Sequence, residues 1–193
     1  MAERINEILT FLKEIEKLKT IQRVNIISKE GRRESDAEHS WHLAMFFILF
    51  EKELPLGLDF TKVLKLCLIH DLPEIYAGDT FAFDAVAVST QKERESKAAA
   101  DLFSLLPSDL RDHFTDLWNE YEAAVTKEAQ FVKSFDKMQP ILQHLCTEGK
   151  AWKERKMRYE QVDHHKRTHM THSDFTLDVY ERLMKEAKDK GFL

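Results

Sequence analysis

Glycine and proline are scarce in this chain, five and four among 193 residues. A fold of many short strands needs frequent turns, and turns draw on those two residue types, so the scarcity argues against an all-β architecture. Cysteine is scarcer still. Cys67 and Cys146, both in apolar helical surroundings, cannot form a disulfide framework or a zinc ribbon, and they fit a reducing compartment. The N-terminal stretch 1–19 is amphipathic and charged, without the apolar core of a signal peptide or a membrane span, so a cytoplasmic location with no membrane contact is expected. A basic surplus is also missing: the formal charge is −5, which gives no support for nucleic-acid binding. No glycine-rich phosphate loop occurs, so kinase or motor chemistry on nucleoside triphosphates is unsupported.

What is present is a soluble-type composition, 43% hydrophobic and 33% charged, in a chain long enough to bury one core. Helical periodicity dominates. Ile5, Ile8, Leu9, Leu12, Ile15 and Leu18 share one face of a first helix. A connecting segment over 22–33 carries Gly31 and the basic residues Lys29, Arg32 and Arg33. Ser35 or Asp36 is placed to cap a second helix through Phe50. Pro55 and Gly57 then break the chain, and Asp59 can cap a third helix to about His70. The stretch 78–89 reads as a loop whose Phe81, Phe83, Val86 and Val88 pack over something. Further helices are predicted over 90–106, 108–123, 126–144, 150–161 and 171–188. The expectation is one all-α domain over 1–193, a bundle of about eight helices.

Four residues stand out chemically: His39 in Glu38-His39-Ser40, the pair His70-Asp71, and Asp136 far downstream. Neighbouring helical residues point about 100° apart, so His70 and Asp71 can share one ion only if it sits by the helix end. Asp136 lies among Phe135, Met138 and Ile141 with Lys137 beside it. A carboxylate buried there needs a partner, which a cation bound by His39 and His70 would supply. Two imidazoles and two carboxylates suit one divalent ion (Co, Mn, Ni, Fe, Mg or Zn) and leave positions open for water and substrate. That is a hydrolytic set rather than a structural one.

His39, His70-Asp71 and Asp136 resemble the H…HD…D signature of HD-domain metal-dependent phosphohydrolases. The run His70-Asp71-Leu72-Pro73-Glu74-Ile75-Tyr76-Ala77-Gly78-Asp79, taken with Glu38-His39-Ser40, is similar to the YfbR-like 5′-deoxynucleotidase branch. The likeness runs over about 9–145, with helices over 150–190 expected to pack on that core. It implies a metal-dependent enzyme that removes phosphate from nucleoside 5′-monophosphates, deoxyribonucleotides above all, and a homodimer. It also implies roles. Glu74, one turn after His70, is the family's catalytic glutamate, suited to take a proton from an attacking water. Asp79, after the flexible Gly78, is a second catalytic-pocket carboxylate. Arg23 aligns with the arginine that grips the substrate phosphate with its planar fork. Val24 departs from the pattern: the relatives can carry a Trp there that selects deoxyribose, so selection between ribose and deoxyribose stays open. The rival readings are a phosphohydrolase for another phosphoester, such as a nucleoside polyphosphate or cyclic nucleotide, and a catalytically silent ligand-binding HD protein.

Other candidates have plainer explanations. His42 can line the pocket or serve helix packing, and Cys67 reads as a buried packing thiol. The histidine-rich run 163–172 has no matching carboxylates or regular ligand spacing and is expected to be an exposed connection before the last helix. The Tyr-Pro motif of cyclic-dinucleotide phosphodiesterases is absent.

Overall fold

The computed structural model describes residues 1–27 and 31–193; Lys29 of the basic group lies outside them. Helix α1 (Ala2–Ile15) leads through a 3-10 turn (Glu16–Thr20) into a two-stranded antiparallel hairpin, β1 (Gln22–Ile26) and β2 (Arg33–Ser35). Its register pairs Gln22 with Ser35 and Ile26 with Arg33. The sequence reading had only a connection there, because strands of five and three residues are too short to show alternation. Arg33 closes the hairpin by donating to the Val24 carbonyl, and the Gln143 side chain donates to the Ile26 carbonyl at 2.8 Å. The predicted apolar stripe is only partly used: Leu18 is buried, whereas Ile5, Leu9 and Leu12 stay about half exposed, and α1 anchors instead through Phe11, which lies outside that stripe.

Helix α2 (Asp36–Leu49) starts where Ser35 and Glu38 form a reciprocal capping box. Its Glu38 amide donates to Ser35 Oγ at 3.3 Å and the Ser35 amide to Glu38 Oε2 at 2.9 Å. Helix α3 (Phe60–Ile69) is capped by Asp59, which accepts from the Lys62 amide at 3.0 Å. A single turn, α4 (Glu74–Ala77), follows. Helix α5 (Ala85–Phe103) begins earlier than expected, because Asp84 accepts from the Val86 and Ala87 amides; the loop is correspondingly shorter.

The remaining helices are α6 (Ser108–Ala123), α7 (Lys127–Cys146), α8 (Lys150–Glu154), α9 (Tyr159–Lys166) and α10 (Asp174–Asp189). The single helix predicted over 150–161 is broken at Lys156, whose φ of 52° no helix accommodates. The histidine-rich run is not simply exposed. It forms the end of α9 and a 3-10 turn, with Lys166 and Met170 buried and His165 and His169 half-buried.

Helix α7 is the axis of the molecule, packed against α2, α3, α6 and α10. Phe135 on α7 meets the rings of Phe47, Phe46, Phe50 and Phe175 at centroid distances of 5.0, 5.5, 5.9 and 6.3 Å. Truncating so enclosed a ring to alanine costs about 3–5 kcal/mol. The same burial carries Asp136, Gln139 and Gln143 into the interior, where each must find a partner.

Candidate active site

Three elements meet around His39 and Asp136. His39 sits in the first turns of α2, His70 and Asp71 follow α3, and Asp136 lies mid-α7. The hydrogen-bond network assigns the imidazole protons. Gln139 Nε2 donates to the Glu34 carboxylate at 2.6 Å; a carboxylate accepts, so the other end of that amide is its carbonyl oxygen. That oxygen lies 2.8 Å from His39 Nδ1, which therefore carries the proton and leaves a lone pair on Nε2. His70 is fixed likewise, Nδ1 donating to the Cys67 carbonyl at 3.0 Å.

The freed Nε2 atoms face oxygens that are also acceptors. His39 Nε2 lies 3.1 Å from Asp136 Oδ1 and 3.8 Å from Asp71 Oδ2. His70 Nε2 lies 3.1 Å from Asp71 Oδ1 and 3.9 Å from Asp136 Oδ1, and it is buried with no hydrogen-bond partner among the described residues. Donor atoms bound about 2.1 Å from one ion sit roughly 3–4 Å from each other, the spacing of each histidine nitrogen from Asp136 and Asp71, although Asp71 falls outside the tightest cluster and groups with Asp36 and Glu74. His39, His70 and Asp136 each offer an atom within 4.8 Å of the others, so the donor set fits a divalent metal.

Outer contacts hold the carboxylates. Asp136 Oδ2 accepts from Tyr121 Oη at 2.7 Å and pairs with Lys137 Nζ at 2.9 Å. Burial alone would raise the Asp136 pKa, but Lys137 overcomes it and holds the group well below the usual range. Asp71 is also lowered: burial opposes ionisation, and the Arg23 guanidinium 3.0 Å away favours it. Sequence reasoning gave Asp136 only a metal as partner and missed Tyr121, Gln139 and Glu34. Gln139 follows Asp136 by three helical positions, a same-face spacing that was the available signal.

A second layer surrounds Arg23 of β1. Its Nη1 lies 3.0 Å from Asp71, 3.2 Å from Asp36 and 3.7 Å from Asp79, and its Nε lies 3.8 Å from Glu34. Burial works against the charge of Arg23, yet these carboxylates raise its pKa well above normal. Asp36, which the sequence suggested only as a cap, forms a buried acidic group with Asp71 and Glu74. Burial, then Asp71, pushes Asp36 up to about 7, with Arg23 opposing. Glu74 is raised well above the carboxylate range by burial first, then by Asp71 and Asp36, and its Oε2 has no hydrogen-bond partner among the described residues. Asp79 is raised by burial against the pull of Arg23.

These groups open into a cleft of about 150 Å³. Val24 lines it beside Arg23. Further lining comes from Phe81 and Phe83 and from Trp152, Arg155, His165 and Lys166, so the C-terminal helices contribute more than the sequence suggested. His42 is not in the lining; it is half-buried, with Nδ1 3.2 Å from Gln139 Nε2. Arg32 pairs with Glu38, and Arg33 Nη2 lies 3.6 Å from Glu154.

With two imidazoles and two aspartates brought together in a largely helical frame, the class is defined: the chain belongs to the HD domain family, whose model matches residues 15–176. The 5′-deoxynucleotidase HDDC2 of Xenopus laevis is 34% identical over 139 residues, 72% of this chain and 68% of the relative. The protein of that name from Dictyostelium discoideum is 33% identical over 141 residues, 70% and 74% of the two chains. This chain thus spans about two thirds to three quarters of those relatives. Among solved structures, a predicted metal-dependent phosphohydrolase from Magnetospirillum magnetotacticum superposes with a TM-score of 0.91 at 39% identity, covering 98% of this chain and 95% of its own.

Proposed function

We propose that this protein is a metal-dependent phosphohydrolase that releases phosphate from nucleoside 5′-monophosphates, deoxyribonucleotides first among them. The observation that carries the reading is the pair of histidines, each with Nδ1 locked to a protein oxygen and Nε2 turned toward Asp71 and Asp136 in the cleft lining. His39, His70, Asp71 and Asp136 would hold the ion, which would supply Lewis acidity and a water acidic enough to ionise near neutrality. Glu74, buried beside Asp71, would take a proton from that attacking water once the charge of a bound ion had drawn its own proton off. Arg23 neutralises the substrate phosphate, and Asp79, within 3.7 Å of it, orients the departing 5′-oxygen. That the similar Xenopus and Dictyostelium proteins are 5′-deoxynucleotidases supports the substrate class.

The proposal includes a single domain over 1–193, because the cleft draws residues from β1 through α9. It also includes a homodimer in the cytoplasm. In support of that location, Cys67 and Cys146 are unpaired, and no helix among the described residues is long and apolar enough to cross a membrane. The test is a phosphate-release screen over ribo- and deoxyribonucleoside monophosphates with each divalent metal, alongside phosphodiesters. Deoxynucleoside monophosphates should be cleaved and chelator should abolish turnover. Cleavage of diesters alone would refute the substrate class.

A further inference from the structure

One part of the cleft lining is aromatic and cationic, unlike the acidic groups around Arg23, and the proposed chemistry leaves it unused. Phe81 and Phe83 come from the loop before α5 and remain half-buried. Facing them, His165 of α9 lies 5.1 Å from the Phe83 ring at 56°, and the Arg155 guanidinium lies 4.4 Å above Phe81. Lys166 adds an independent observation. It is 8% exposed, its Nζ donates only to the Lys137 carbonyl at 2.7 Å, and no carboxylate pairs with it among the described residues. A buried cation without a counter-charge is unfavourable, so two of its three N–H groups want acceptors.

We propose that this part of the cleft is a nucleobase subsite, in which a base stacks on Phe83 and presents its ring acceptors to Lys166. The assignment rests on the nucleotidase reading for its ligand class. Every base has a flat π-face and at least one carbonyl or ring-nitrogen acceptor, so this wall binds the four bases with little discrimination. It also gives the substrate a second anchor, which the lone phosphate contact at Arg23 does not provide.

Isothermal calorimetry of the metal-loaded protein with the four deoxynucleosides, which carry a base but no phosphate, reads the subsite without turnover. All four should bind with similar affinity. Phe83→Ala and Lys166→Met should each weaken them about tenfold, while inorganic phosphate binds as in the unaltered protein. Phe83→Tyr keeps a ring and should retain binding, which separates stacking from a folding defect. Deoxynucleosides that fail to bind the unaltered protein, or bind Phe83→Ala undiminished, overturn the subsite. So does equal loss of phosphate and deoxynucleoside binding in Lys166→Met. Phosphate release from monophosphates is measured separately. Phe83-dependent binding without any hydrolysis would sink the nucleotidase reading and leave the subsite standing.

Discussion

Gln139→Leu isolates the role of a residue that touches no reacting group. The amide bridges Glu34 at 2.6 Å and His39 Nδ1 at 2.8 Å, so leucine, similar in volume, removes both bonds at once. Glu34 keeps the Asn25 amide at 3.0 Å but loses its shorter donor, a loss of about 1–3 kcal/mol for a buried acceptor. His39 loses the acceptor that fixes its tautomer, and removing such an outer partner weakens metal affinity about 10–100-fold, or roughly 1.4–2.7 kcal/mol. Competition against a chromogenic chelator at fixed pH measures the affinity, and thermal melts of the stripped protein measure the stability. Gln139→Glu is the control: its oxygen still accepts from His39, but it confronts Glu34, so stability should drop while metal affinity holds. A Gln139→Leu protein that binds metal like the unaltered one would refute the tautomer argument.

Three further outcomes follow from the same geometry. Glu74→Gln mimics the protonated form of a group whose pKa is raised, so turnover should fall about 10²–10⁴-fold while the melting temperature does not drop; a large loss of stability would contradict it. Lys166 is pushed down from 10.5 to about 7 by burial and then by Lys137, so its penalty is full below pH 7 and is relieved as pH rises toward 10.5. Lys166→Met should therefore stabilise the protein by a few kcal/mol at pH 6, with the gain shrinking by pH 10 in urea titrations. Arg23→Ala should raise KM at least about tenfold by removing the phosphate partner, and an unchanged KM in steady-state assays would remove that role.

The residues legible in the sequence were those whose meaning is local. Ser35 and Asp59 announced helix starts through capping, and both cap as expected. His39, His70 and Asp136 do come together, with Asp71 beside the two histidines but clustered with Asp36 and Glu74, because α2, α3 and α7 each bury the stretch that carries them. What was illegible depended on distance along the chain. Gln139 and Glu34 are 105 residues apart, and nothing short-range in either stretch signals the bond between them. The aromatic and cationic part of the cleft was hidden for a similar reason. His165 and Lys166 sit in a run that looks hydrophilic, yet α9 turns them inward against Phe83 and Lys137. Val24 does line the cleft as its position beside Arg23 suggested, but a missing Trp says nothing of what else could read the sugar.

The charge around the site leads to the strongest thermodynamic expectation. Glu34, Asp36, Asp71, Glu74, Asp79 and Asp136 crowd two cations, Arg23 and Lys137. Part of the excess is relieved by protonation, since Asp36, Glu74 and Asp79 are all raised, but Asp71 and Asp136 are lowered and stay ionised. The fold thus holds two carboxylates charged beside two imidazole lone pairs, an arrangement that a dication relieves and the unfolded chain does not reproduce. Metal binding should therefore stabilise the native state. At a free concentration a thousandfold above Kd the gain is about 4 kcal/mol. For a chain of this length that is roughly 8–16 °C in melting temperature. Differential scanning calorimetry of stripped protein, titrated with each candidate ion, measures it. The shift should vanish in Asp136→Ala, which loses one donor and the Tyr121 and Lys137 anchors behind it. Superimposable thermograms with and without saturating metal would mean that the four residues answer to one another and not to an ion.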